Sequence, residues 1–260
     1  MIETVLPLAL KAFGGTEDDL VFLAGSTTDG LANRNSDIDL YVIGDTAVGG
    51  SETAARQGEK TSTIGYHDDR EVNLCVLEPE GLVQLKDVFR RSVVSLDGAK
   101  GIEQLVTDDN LKILHRLRTG QPLQRPDLLD ELRADIGTAD LSRYLFNASA
   151  IAAVNRLTDV AGELADGHEQ SARWMFREAL VHAGHCALAA DGETNPSGKW
   201  LVRMLLRGSG FRERIAELLL TPTNLDTDVQ EIKSGLAALI DAQGETAGPY
   251  VRNVARKKLG

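Results

Sequence analysis

The chain has 260 residues and a formal net charge of −11, with 42% hydrophobic and 26% charged residues. This balance is that of an ordinary folded protein and excludes a largely disordered chain, and the length allows two domains. The acidic excess argues against a protein that mainly grips nucleic acid, because that affinity comes from lysine and arginine on phosphates, and it fits a small or cationic substrate better.

The amino-terminal segment predicts a short helix. Residues 2–13 are amphipathic, and we expect the helix to run from Pro7, since proline suits a first helical turn, and to end at Gly14. A basic region followed by an apolar stretch is missing here, and no apolar run of the sequence reaches membrane-spanning length. We therefore expect a cytoplasmic protein with no membrane partner.

The next segment predicts a strand, a glycine turn and a second strand. Two apolar runs of strand length, residues 20–24 and 38–43, are separated by a polar segment that begins at Gly25. Asp37 and Asp39 stand at the start of the second run, where the period of a strand puts both carboxylates on one face. Such carboxylates repel each other, so this arrangement favours a divalent cation between them.

Three further predictions cover the chain up to residue 95. Residues 45–60 are rich in Gly, Ser, Thr and Ala and indicate a mobile loop or a weak helix. Two β-prone runs, residues 61–67 and 70–77, are joined by a two-residue turn and predict a hairpin. Residues 80–95 have helical spacing and are expected to pack on the sheet.

Helical patterns replace the strand signal in the rest of the chain. Thr107 starts a helix that runs to Thr119, with Gly120 as its stop. Residues 121–126 contain two prolines and are expected to be a connector, and residues 251–260 a solvated basic tail. The other helical patterns span about residues 127–136, 140–165, 168–190, 197–207, 211–220 and 226–243. Together they describe a helical bundle.

One stretch combines the glycine turn and the acidic pair at a fixed spacing. It reads Ala24-Gly25-Ser26, then residues 27–36, then Asp37-Ile38-Asp39-Leu40. This pattern resembles the signature of the nucleotidyltransferase superfamily of the DNA polymerase β type, and the likeness covers roughly the first hundred residues. The resemblance implies that Gly25 and Ser26 open a helix whose amides hold the triphosphate. It also implies that Asp37 and Asp39 bind magnesium, with two ions serving an in-line displacement.

Relatives in that superfamily supply a third acidic residue from a neighbouring strand. In this chain the usual position falls on Asn73, which is neutral and cannot accept a proton at pH 7. Glu71 lies two residues earlier on the same strand face and has a longer side chain. Either Glu71 is the third ligand and base, or the acceptor-side metal site is degraded. The first interpretation is favoured, and a solvated strand-end residue is the alternative for Glu71.

The order of elements predicts an α+β protein. We expect an N-terminal nucleotidyltransferase α/β domain with a mixed sheet over residues 1–100, and a C-terminal all-α helical bundle over residues 101–260 that binds the acceptor or forms a lid. This layout is similar to that of the kanamycin and lincosamide nucleotidyltransferases, which implies an acceptor in the cleft between the domains. By the same likeness Lys199 is a candidate ligand of the triphosphate, and a surface lysine beside Trp200 is the alternative.

Other chemistry-bearing residues of the helical region carry less weight. His182, His185 and Cys186 share one helix, but three ligands from a single helix make a poor zinc site, and a partly buried histidine pair is expected instead. Arg177 and His182 match the Arg-x4-His spacing of the HEPN ribonucleases. This match is short enough to occur by chance, and the acidic chain argues against cleavage of RNA. Arg173 and Arg177 form a basic patch one helical turn apart, to which the sequence assigns no function.

These observations predict an NTP-dependent nucleotidyltransferase. It would move a nucleoside monophosphate, most simply AMP from ATP, to a hydroxyl group of a small molecule such as an antibiotic or a metabolite, with Mg²⁺ as cofactor. Its partners would be a nucleoside triphosphate and a small acceptor rather than nucleic acid, and a homodimer is compatible with the sequence. Two alternatives stay open. One is a lapsed nucleotide-binding or toxin–antitoxin-type regulatory protein, and the other an enzyme that modifies tRNA or protein.

Overall fold

The computed structural model describes residues 2–43, 52–56, 59–98, 106–221 and 224–259. The chain divides into two compact units. The first consists of Met1–Arg90 and Val106–Ala139, and the second of Arg91–Leu105 and Asp140–Gly260. Residues 106–139, which the sequence assigned to the helical domain, therefore pack with the first unit.

A mixed six-stranded sheet forms the centre of the first unit. Its strands are β1 Val21–Ala24, β2 Ile38–Ile43, β3 Glu52–Arg56, β4 Glu59–His67, β5 Arg70–Leu77 and β6 Gln121–Gln124. They lie in the order β3-β4-β5-β2-β1-β6. Only the β2–β5 pair among these is parallel, whereas the other neighbours are antiparallel. The predicted α+β fold with a mixed sheet is thus confirmed.

The predicted hairpin is present as β4 and β5. Asp68 and Asp69 form its two-residue turn, with φ angles of 49° and 59°. Positive φ at both central positions is what a type I′ turn needs, and short acidic side chains tolerate that conformation. The hairpin places β5 against β2, where Asp39 pairs with Asn73.

Four helices belong to the first unit in whole or in part. They are α1 Ile2–Phe13, α2 Pro79–Ser95, α3 Asp108–Thr119 and α4 Pro126–Ile136, and α2 continues from the first unit into the second. Val5 and Ala9 of α1 pack against the face of the sheet that carries Ile38 and Leu40. Since side chains alternate along a strand, Asp39 projects from the opposite face. Because α1 covers one face of β2, the side chain of Asp39 lies on the face that α1 leaves uncovered.

Three expectations for this unit were wrong. Helix α1 begins at Ile2, and Pro7 lies inside it. Residues 52–56 and 59–60 are strand rather than loop or helix, while residues 44–51 and 57–58 lie outside the described part of the chain. The expected connector at 121–126 contains β6, an edge strand on β1. An edge strand tolerates Pro122, because its missing N–H faces away from the ladder.

The second unit is helical. Its α-helices are α5 Leu141–Ala165, α6 Glu169–Ala190, α7 Leu201–Leu205, α8 Phe211–Leu220, α9 Leu225–Ala242 and α10 Pro249–Lys258. Small buried residues on α5 and α6, such as Ala153 and Ala183, allow these two long helices to pack closely. The expected solvated tail is wrong, because α10 buries Val251 and Ala255. Within the described ranges, none of the helices combines the length and apolarity that a membrane span requires.

Candidate active site

The glycine turn lies directly against the acidic pair. Strands β1 and β2 pair in a register that sets Ala24 opposite Asp39, so Gly25 follows at the end of the ladder. Gly25 has a φ of +87°, and a Cβ at this position would lie 2.7 Å from Oδ2 of Asp39. No larger residue fits this backbone without displacing the carboxylate. Glycine is therefore required here by both the backbone angle and the contact.

The turn that follows Gly25 is closed by its own backbone. The amides of Thr28 and Asp29 both donate to the carbonyl oxygen of Gly25 at 3.1 Å, and the amide of Leu31 donates to that of Ser26 at 2.9 Å. These bonds make a tight turn, whereas the resemblance implied a helix at this point. None of the described residues accepts a hydrogen bond from the Ser26 hydroxyl. The Ser26 hydroxyl can therefore donate a hydrogen bond to a ligand.

Asp37 and Asp39 lie at the entrance of β2. Asp37 is exposed just before the strand, and Asp39 is half-buried as its second residue. The side chain of Asp37 accepts a hydrogen bond at 3.2 Å from Nδ2 of Asn73, the residue that pairs with Asp39 in the parallel register. Both predicted metal ligands thus stand beside the glycine turn and beside the third-acid position.

The third-acid position holds Asn73, which is buried. Thr63 on β4 contacts both candidates for this role, since its Oγ1 is 3.0 Å from Oδ1 of Asn73 and also lies within hydrogen-bonding distance of Oε1 of Glu71. A threonine hydroxyl has a single proton, so it donates to only one of them at a time. Glu71 is itself exposed. Its function as ligand or base stays a prediction.

The described residues contain no group of three or more His, Cys, Asp or Glu side chains that is suited to hold a metal ion. Asp37 and Asp39 supply the hard oxygen ligands that Mg²⁺ prefers, and Mg²⁺ usually completes its octahedron with waters and substrate phosphates. The donor set therefore fits one magnesium ion shared with a triphosphate. It does not by itself supply the ligands for two.

Sequence reasoning missed Arg70, the first residue of β5. Its Nε donates to the carbonyl oxygen of Ser36 at 2.6 Å, and one terminal nitrogen donates to Oγ1 of Thr27 and to the carbonyl oxygen of Asp37, both at 2.9 Å. One guanidinium thus joins the glycine turn to the residues that lead into β2. The residues around Arg70 in the sequence do not predict this bridge, because it forms only when β2 and β5 pair in parallel.

A second missed contact joins the turn to α3. Nε2 of His115 lies 3.0 Å from Oδ2 of Asp29, and the two side chains are only 5% and 7% exposed. The sequence indicated only that Asp29 is a turn residue. A buried His–Asp pair adds a long-range contact between the glycine turn and a helix of the same unit, because both groups need partners once they leave water.

The remaining predicted residues lie in the second unit. Lys199 belongs to the 3-10 turn Gly198–Trp200, and its Nζ lies 4.7 Å from the centre of the Trp200 ring, in a cation–π contact. Its function as a phosphate ligand stays a prediction. His182 and His185 are half-buried on α6. Complete burial raises the pKa of the neighbouring Cys186 thiol, which disfavours a reactive thiolate there.

A mixed sheet that sets two aspartates at a strand entrance, beside a glycine turn with positive φ, is the arrangement that the resemblance to nucleotidyltransferases predicts. One comparison with known proteins agrees with this interpretation. The family described as Nucleotidyltransferase domain matches residues 6–95, so this part of the chain is similar to that family. This match includes the glycine turn, the acidic pair, Arg70, Glu71 and Asn73, whereas His115 and Lys199 lie outside it.

The chain is also similar to a solved structure, the crystal structure of a nucleotidyltransferase-like protein from Exiguobacterium sibiricum 255-15. The two chains share 15% sequence identity, the alignment covers 99% of this chain and 80% of the other, and the TM-score is 0.49. A search of curated proteins gave no match.

Proposed function

We propose that the protein transfers a nucleoside monophosphate, AMP from ATP, to a hydroxyl group of a small molecule. The observation that carries this proposal is the contact between Gly25 and Asp39, since a Cβ on the glycine would lie 2.7 Å from the carboxylate. A turn suited to phosphate and an acidic pair suited to magnesium therefore form one site. The nucleotidyltransferase family match over residues 6–95 supports the same reaction class.

Asp37 and Asp39 hold the magnesium ion of the nucleotide, and Gly25 and Ser26 approach its phosphates. When bound, the ion neutralises the carboxylates and stabilises charge on the phosphate oxygens. Arg70 fixes the relative position of turn and strand through its bonds to Thr27 and to the carbonyl oxygens of Ser36 and Asp37. Such fixed placement is a main source of rate in phosphoryl chemistry, where the protein performs little covalent work.

The reaction itself is an in-line displacement. The acceptor oxygen forms a bond to the α-phosphorus, the bond from that phosphorus to the bridging oxygen breaks, and pyrophosphate leaves with the electron pair. Glu71 takes the hydroxyl proton, either on the carboxylate oxygen that Thr63 does not engage or after that hydroxyl turns to Asn73.

A second candidate function is nucleotide binding without turnover. Asn73 favours it, because a neutral amide that donates to Asp37 stands where relatives supply a carboxylate. Such a protein would bind ATP through the same turn and aspartates, and would act as a sensor or as a partner of another protein. Turnover therefore separates the two candidates, and binding does not.

The deciding experiment is a transfer assay with ATP labelled at the α-phosphate, magnesium and a panel of hydroxyl compounds that includes aminoglycosides and other polycations. An enzyme yields a product that carries the label and whose mass exceeds that of the acceptor by one AMP moiety. The Asp37→Asn/Asp39→Asn double variant is the control and should yield none. If calorimetry shows that the wild type binds ATP while the panel yields no labelled product, the nucleotide-binding candidate replaces the transferase.

A further inference from the structure

A cavity of about 340 Å³ lies within the second unit, where α6 faces α8 and α9. The glycine turn and the acidic pair belong to the first unit. The residues that matter for the chemistry of the cavity are Arg173, Trp174, Arg177, Leu180, Leu218 and Asp228. This volume is at the lower end of the range for small-molecule sites.

The inner wall contains a buried acceptor that lacks a donor. Asp228 is only 3% exposed, and its Oδ1 lies 3.3 Å from a terminal nitrogen of Arg214. Its other oxygen, Oδ2, is buried and has no hydrogen-bond partner among the residues that the structure describes. Leaving a carboxylate oxygen unsatisfied in this way is costly, and natural structures rarely do so without a reason. A ligand whose N–H donor displaces the atoms that cover this oxygen would satisfy it.

The rim carries a cation without a counter-ion. Arg177 is exposed, and within the described ranges no residue forms a hydrogen bond or an ion pair with it. Arg173, one turn earlier, forms an ion pair with Glu169, in which a terminal nitrogen of the arginine lies 2.7 Å from Oε1 of the glutamate. Trp174 lies between these arginines in the sequence and is 64% exposed, which is unusual for so large an apolar ring. In a chain of net charge −11 this cationic, aromatic rim selects for an anion with a flat body.

We propose that this cavity binds an amino-purine nucleoside monophosphate. The phosphate pairs with Arg177, the base lies against Trp174 and the aliphatic wall of Leu180 and Leu218, and the exocyclic amino group donates to Oδ2 of Asp228. A simple inorganic anion would leave the ring face and the buried acceptor unused, and a neutral nucleoside would leave the cation unpaired. The proposed ligand satisfies all three features with one molecule. All the residues of this nucleotide site belong to the helical unit, and none of them is a residue of the glycine turn or the acidic pair.

The test uses the fluorescence of Trp174 in a Trp200→Phe background, which removes the other tryptophan of the chain. AMP is added in EDTA, so that divalent ions do not support binding at the acidic pair. We expect saturable quenching by AMP. Purine riboside 5′-monophosphate, which lacks the amino group, and adenosine, which lacks the phosphate, should each bind about tenfold more weakly. Equal binding of all three compounds, or no quenching by AMP, would overturn the proposal.

Variants in the same background locate the site. Arg177→Gln should weaken AMP binding about tenfold or more, whereas Arg256→Gln, which removes an exposed arginine of α10 outside the cavity, should leave it unchanged. Asp228→Asn should abolish the preference for AMP over purine riboside 5′-monophosphate, with circular dichroism to check that the variant is folded. If Asp228→Asn does not fold, the ligand comparison on the unaltered cavity still decides. An Arg177→Gln variant that binds AMP as well as the Arg256→Gln control would contradict the assignment.

Discussion

Asn73 donates a hydrogen bond from Nδ2 to Oδ2 of Asp37 at 3.2 Å. A neutral amide thus stands against one of the two predicted metal ligands, at the point where β5 pairs with β2. The carboxylate of Asp37 therefore has a donor from the protein itself. Because the two side chains are in contact, a carboxylate at position 73 would repel the carboxylate of Asp37.

Replacing Asn73 by aspartate should make the site depend on divalent ions. The new carboxylate repels Asp37, so we expect the Tm of N73D without magnesium to fall by about 2–4 °C. Millimolar magnesium should restore it, because an ion that binds only the folded state stabilises it. Differential scanning fluorimetry in EDTA and in magnesium measures both values. Asn73→Ala, which removes the donor without adding charge, should show no such restoration, and a magnesium-independent Tm for N73D would exclude an ion at this position.

The glycine turn should not tolerate a Cβ. Gly25→Ala combines a φ of +87° with a methyl group 2.7 Å from Oδ2 of Asp39, and we expect a loss of about 1–3 kcal/mol in the free energy of unfolding. Gly137→Ala is the matched control, because its φ of +85° is similar and a Cβ at that position would meet nothing within 4 Å. Urea denaturation compares the two. Equal losses would mean that the contact with Asp39 adds nothing to the backbone penalty.

Arg70 should act by positioning the site. Arg70→Gln removes the charge-assisted bonds to Ser36, Thr27 and Asp37, and we expect the affinity for magnesium-ATP to fall about tenfold. Arg34→Gln is the control, because Arg34 is exposed in the same loop and no described residue forms a hydrogen bond or an ion pair with it. Isothermal titration calorimetry gives both constants. A Kd unaffected by Arg70→Gln would show that the turn keeps its position without this bridge.

The buried pair of His115 and Asp29 should be energetically coupled. Each single replacement, His115→Ala or Asp29→Ala, leaves the other group buried without this partner, which costs about 1–3 kcal/mol. Their contact at 3.0 Å predicts that the double variant loses clearly less than the sum of the two. A double-mutant cycle by chemical denaturation measures the coupling. Strict additivity would show that the contact does not stabilise the fold.

The sequence was sufficient where an element depends on its own residues. Strand β2 with Asp37 and Asp39 at its start, and the two-residue hairpin turn after β4, follow from alternation and turn chemistry that a short window contains. The long helices α5, α6 and α9 were likewise predicted to within a few residues, because their apolar periodicity extends over many turns.

It failed where an element exists only through a distant partner. Strand β6 has only four residues, and one of them is Pro122. It is a strand because it pairs with β1 at the edge of the sheet. Helix α10 was not predicted, because its basic residues indicated a solvated tail. The spacing of Val251 and Ala255 nevertheless lets the helix bury one face. The bridge from Arg70 to Ser36 spans 34 positions. Such contacts depend on the register of strands far apart in the chain, which no local pattern records.

In the proposed function, Asp37, Asp39 and the turn at Gly25 form one site for a magnesium-bound nucleotide. Calorimetry with magnesium and α,β-methylene-ATP, which cannot undergo the transfer, tests it most directly. We expect the wild type to bind in a magnesium-dependent manner, and the folded Asp37→Asn/Asp39→Asn variant to lose at least about tenfold in affinity. Equal binding by the two proteins, or binding that ignores magnesium, would contradict the claim.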